Sequence, residues 1–153
     1  MLKAVIIDDE RKSRENLKLL LNSFVENVSI VGMADGVPKG ISTINETKPD
    51  LVFLDIHLAD GDGFEILEQL ENKNHNIIFV TGHEEHAVKA FRSDAVDYLL
   101  KPVCIDHLQD AVQRVQNRMS DGHKGPDRLT ISTSAGVRFL DTKNIVYCKG
   151  DGA

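Results

Sequence analysis

The chain has 153 residues, 41% hydrophobic and 27% charged, which suits one ordinary soluble domain with room for an appendage. No apolar run approaches the ~18 residues that span a bilayer, and the short stretch after Lys3 lacks the length of a secretory leader, so the expected location is the cytoplasm, away from any membrane. Residues 1–120 carry 13 Lys and Arg against 20 Asp and Glu, while 121–153 carry 5 against 4; the acidic part is a poor DNA binder by itself, because phosphate contacts need clustered cations.

Five short apolar runs alternate with helical patterns along the first 120 residues. The runs are Ala4–Ile7, Val28–Met33, Leu51–Leu54, Ile77–Val80 and Val96–Leu100. Several are unbroken Val, Ile, Leu and Phe, as in strands of a parallel sheet covered on both faces. After the first run, Leu17, Leu20, Leu21 and Phe24 fall on one helix face. Phe64, Leu67 and Leu70 repeat the pattern weakly, and Ile105, Leu108, Val112, Val115 and Met119 repeat it strongly. Short strand-to-helix connections repeated in this way predict an α/β fold, doubly wound around a five-stranded parallel sheet of order 2-1-3-4-5, flavodoxin-like. Residues 1–120 form this domain. The segment SDGHKGPD has no apolar residue and contains two glycines and a proline, so 121–127 reads as a linker. From 128 to 153 the pattern turns to β, with Leu129–Thr133, Val137–Leu140 and Ile145–Cys148. These strands are too few for a core of their own and read as the opening of a second domain cut short. Cys104 and Cys148 lie 44 positions apart without CxxC spacing, so neither a cysteine zinc site nor a disulfide framework is expected.

Ligands of open parallel sheets bind at the carboxyl ends of strands, beside the point where strand order reverses. The residues following the runs are therefore informative. The first strand ends in Asp8-Asp9, the third in Asp55, the fourth in Thr81 and the fifth in Lys101-Pro102. Crowded carboxylates repel one another and recruit a hard divalent cation such as Mg²⁺. A carboxylate so neutralised can serve as nucleophile toward a phosphoryl group, with a hydroxyl and an ammonium stabilising the transferring oxygens.

These residues, in this order and spacing, resemble the receiver domain of bacterial two-component response regulators over residues 1–120. The resemblance implies that Asp55 accepts the phosphoryl group from a sensor histidine kinase. It further implies that Asp9 ligates Mg²⁺ directly, Asp8 acts as the second acid, and Asp55 and the backbone carbonyl of His57 complete the protein ligands. Thr81 and Lys101 contact the phosphoryl group, Tyr98 is the aromatic switch that turns inward, and the Lys101–Pro102 bond is commonly cis. The family often has Met-Pro-x-Met-Asp-Gly after the acceptor. Here Leu58-Ala59-Asp60-Gly61-Asp62-Gly63 lacks the proline and gains a glycine, so a looser loop is expected. The tail, with Arg128-Leu129-Thr130-Ile131, Gly136-Val137-Arg138-Phe139 and residues 141–148 (DTKNIVYC), resembles the start of a LytTR-type DNA-binding domain. The implied whole is a transcription regulator that reaches DNA only through its full-length effector, with a homodimer as one possible assembly. On this reading the chain is a signalling switch that promotes its own phosphorylation and dephosphorylation rather than an enzyme. Two alternatives stand beside it: an Asp-nucleophile phosphatase of the haloacid-dehalogenase kind, and a receiver-like protein-binding module that is never phosphorylated. The phosphatase places its nucleophile in an Asp-x-Asp pair after the first strand, where this chain has adjacent Asp8-Asp9.

Overall fold

Leu2–Ile7 forms β1, which pairs in parallel with β2 (Val28–Ala34) on one side and β3 (Leu51–Leu54) on the other. Ala4 to Ile7 and Leu51 to Leu54 are at most 1% exposed, so both faces of the two strands are covered and alternation has no place in their sequence. These strands belong to the first of two compact units, Met1–Asn76 and Ile77–Ala153. The computed structural model describes residues 1–72, 74–121, 128–133, 136–141 and 145–148.

In the first unit, α1 (Arg11–Phe24) buries Leu17 and Leu21. Leu20 is half-buried, and Phe24, the last member of the predicted stripe, is exposed at the helix end. α2 (Val37–Thr47) buries Val37, Gly40 and Ile44. A Cβ on Gly40 would stand 2.9 Å from Ile66 Cδ1 and 3.0 Å from Ile7 Cδ1, so the glycine sets how closely this helix approaches the sheet. α3 (Gly63–Gln69) turns Phe64 and Ile66 inward with Leu70 just beyond it, whereas the weak stripe in the sequence had suggested Leu67 in place of Ile66. β2 contains a bulge: Ala4 faces Ile30 and Val5 faces Gly32, so Val31 has no counterpart on β1.

In the second unit, β4 (Asn76–Thr81, all but its first residue in this unit) pairs in parallel with β5 (Asp97–Leu100), Thr81 facing Leu100. A 3₁₀ turn (Glu84–His86) leads into α4 (Ala87–Arg92). α5 (Ile105–Asp121) buries Leu108, Val112 and Val115, the inner part of its predicted stripe, together with Ala111, which the stripe did not include. β6 (Arg128–Thr133) continues the sheet in parallel along β5, with Tyr98 facing Ile131. β7 (Gly136–Asp141) and β8 (Ile145–Cys148) follow as antiparallel neighbours. The three β segments read in the tail are thus strands. Helix α5 runs through the first position of the expected linker, and residues 122–127 lie outside the described residues. No helix among the described residues is long and apolar enough to cross a membrane.

Candidate functional site

β1 ends at Ile7 and delivers Asp8, Asp9 and Glu10 in succession. Asp8 is 5% exposed and fixed at both ends of its backbone: its N–H donates to Ala34 O (3.1 Å), and its carbonyl accepts from Arg14 Nη1 (2.7 Å). Its Oδ1 accepts from the Glu10 N–H at 2.9 Å. One carboxylate oxygen from each of Asp8, Asp9 and Glu10 lies within 4.8 Å of the others. This all-oxygen donor set suits a hard divalent cation. Glu10 escaped the sequence reading; it is the N-cap residue of α1, its side chain makes no capping bond, and it joins the acid group.

Asp55 follows β3 directly and is 6% exposed. Its N–H donates to Ile7 O at 2.9 Å, which fixes the acceptor candidate beside the end of β1 where the acids begin. The loop after it is tied at several points. His57 faces Asp62 and Leu58 faces Gly61 in a miniature antiparallel ladder. The Gly63 N–H donates to Ile56 O (2.7 Å), and the Val37 N–H, at the start of α2, donates to Asp60 Oδ1 (2.9 Å). Asp62 caps α3 by accepting from the Glu65 N–H at 3.0 Å. The looser loop expected from the missing proline is countered by these bonds. The His57 side chain is exposed.

In the second unit the carboxyl ends of β4 and β5 are adjacent, with the Lys101 N–H donating to Thr81 O at 2.9 Å. Thr81 is fully buried, and its Oγ1 has no hydrogen-bond partner among the described residues. A buried hydroxyl in that condition is costly unless something supplies an acceptor. Lys101 is half-buried and its bond to Pro102 is cis. Tyr98 is fully buried, stacks obliquely on Phe79 with centroids 6.1 Å apart, and donates its hydroxyl to the backbone carbonyl of His83.

Beneath the tyrosine, Asp97 is wholly buried and ion-paired with Arg114 of α5, and its Oδ1 accepts the Tyr98 N–H at 2.8 Å. Burial raises the Asp97 carboxyl to about 7, against the opposing pull of the Arg114 guanidinium. This strand-to-helix joint was not foreseen, since the partners are 17 positions apart and neither belongs to a motif.

The response regulator receiver domain family matches residues 4–113. The sensory transduction protein LytT of Bacillus subtilis is 32% identical over 156 residues, covering 96% of this chain and 64% of that protein. A response regulatory protein of Vibrio cholerae is 41% identical over 124 residues, covering 79% and 52% respectively. The chain therefore spans between 52% and 64% of the length of these two curated relatives. Among solved structures, the response regulatory domain of protein mrkE from Klebsiella pneumoniae is similar with a TM-score of 0.71 at 29% identity, covering 78% of this chain and 99% of that one. That likeness shows the doubly wound α/β architecture with a five-stranded parallel sheet, in the flavodoxin-like order expected from the sequence. With acids after β1, an acid after β3, a threonine after β4 and a lysine after β5 all standing on such a scaffold, the chain belongs to the receiver domains of two-component response regulators.

Proposed function

We propose that this receiver takes a phosphoryl group on Asp55 from the phosphohistidine of a sensor histidine kinase. The observation that carries the reading is the placement of Asp55: 6% exposed, with its N–H on Ile7 O, beside the group of Asp8, Asp9 and Glu10. A carboxylate oxygen of Asp55 attacks phosphorus, the bond from phosphorus to the imidazole nitrogen breaks, and an acyl phosphate forms. The carboxylates of Asp8, Asp9 and Asp55, with the His57 carbonyl, would hold magnesium, which would supply the positive charge that lets an anion approach this acidic group. The Thr81 hydroxyl and the Lys101 ammonium bind the phosphoryl oxygens. The unsatisfied Thr81 Oγ1 supports this role, since a phosphoryl oxygen is the acceptor it lacks.

Tyr98 and helix α5 carry the change outward, by shifting a two-state population; a few kcal/mol is enough. In the full-length protein the receiver controls a LytTR-type effector that binds DNA, with homodimer formation as one route. This part rests on the similarity to LytT.

Intact mass after incubation with acetyl phosphate tests the central step. The wild type is expected to gain one phosphoryl group only when Mg²⁺ is present, and Asp55→Asn to gain none. An unmodified wild type with metal binding confirmed would remove the acceptor role and leave the fold assignment untouched.

A further inference from the structure

Two residues past Thr81 the chain reads His83-Glu84-Glu85-His86, a run that neither the acid group nor the phosphoryl site uses. Glu85 Oε1 lies 3.2 Å from His83 Nδ1 and 3.9 Å from His86 Nε2, so one carboxylate oxygen sits between two imidazoles. The rings are 6.3 Å apart between centroids and nearly perpendicular, edge toward face. All three side chains reach solvent, at 50%, 64% and 31% exposure for His83, Glu85 and His86, so no desolvation opposes a hydrated ion. The backbone beneath them is held. Glu85 and His86 share the 3₁₀ turn, the Ala87 N–H closes that turn on Glu84 O, and the His83 carbonyl receives the Tyr98 hydroxyl.

We propose that His83, Glu85 and His86 form a binding site for a borderline-soft divalent transition metal of the Zn²⁺ class. Two neutral imidazoles and one carboxylate are a donor set that Zn²⁺ accepts with water in the remaining position. The two imidazoles stand farther apart than a shared ion allows, so one of them must change rotamer to close toward Glu85 and the metal. The set differs in softness from the all-oxygen group of Asp8, Asp9 and Glu10, so the two sites sort metals by chemistry: the hard cation to the acids, the borderline cation to the histidines. Spacing along the sequence conceals the site, because its histidines are read singly until the turn brings Glu85 between them.

Isothermal titration with Zn²⁺ against the full chain in saturating Mg²⁺ tests the site without reference to phosphorylation. One Zn²⁺ is expected to bind, with His83→Ala and His86→Ala each weakening it roughly tenfold or more. Glu85→Gln, which keeps shape and fold, is expected to weaken it as well. Asp9→Asn is expected to leave Zn²⁺ affinity unchanged. Undiminished binding in all three loop variants would place the metal on other histidines and overturn the proposal. Loss of binding in Asp9→Asn, or no binding by the wild type, would overturn it equally.

Discussion

At Gly63 an added Cβ would lie 2.5 Å from the Asp55 carbonyl and 3.0 Å from Leu54 Cγ. Neither neighbour is the free end of a flexible side chain, so Gly63→Ala must shift the backbone that carries Asp55. A stability loss of about 1–3 kcal/mol is expected in urea unfolding, together with slower uptake from acetyl phosphate. An alanine variant with wild-type stability and wild-type uptake would show that the contact yields freely. Asp97 makes a prediction about pH. Its carboxyl is raised from 3.8 to about 7 by burial, with Arg114 opposing and Asp110 adding to the rise. Between those values the folded chain keeps a proton that the unfolded chain has released. This residue's contribution to stability is therefore full below the unfolded value and declines as the pH climbs toward 7. The urea midpoint of the wild type should fall relative to that of Asp97→Asn between about pH 4.5 and 7.5. Parallel pH profiles for the two proteins would refute the raised carboxyl.

Elements differed in how plainly the sequence announced them. β3 is four apolar residues in a row and α5 carries a stripe of more than three turns, so each declares itself through a repeated pattern. α4 is six residues long and buries only Ala87 and Ala90, side chains too small to mark a face. The ties in the loop after Asp55 are equally silent in sequence, because a side chain reaching a backbone N–H 23 positions away, as Asp60 does for Val37, leaves no periodicity. Asp60-Gly61-Asp62-Gly63 reads as a plain turn, yet two of its acids begin helices. Asp62→Ala should therefore cost about 1 kcal/mol through the lost cap of α3. A smaller denaturant midpoint with an unchanged slope would confirm a local loss; no change would mean that water replaces the cap fully.

Over the whole molecule, the candidate site was legible because strand ends are where an open parallel sheet binds ligands, and the apolar runs locate those ends to within a residue or two. Asp8, Asp9, Asp55, Thr81 and Lys101 all stand at or just past such ends. Glu10 was missed because it lies one residue beyond the pair that the pattern marks, and the Asp97–Arg114 joint because long-range pairing of charges has no signature. The bulge in β2 bears on how this chain can change length. Val31 has no counterpart on β1, while Ile30 and Gly32 face the consecutive residues Ala4 and Val5. Deleting Val31 joins Ile30 to Gly32 on opposite faces, as an unbroken ladder requires, and leaves Met33 facing Ile6 and Ala34 facing Ile7. The Ala34 carbonyl then still receives the Asp8 N–H. The one-residue deletion should fold and keep its metal-dependent phosphoryl uptake, whereas deletion of Gly32 keeps the same register but sets Val31 opposite Val5, where a Cβ would stand 2.6 Å from Thr43 Cγ2, and should be the less stable of the two in urea. The length of this strand is therefore not fixed by its pairing: β2 can lose the residue that faces nothing and still present Ala34 to the strand end that carries the acids.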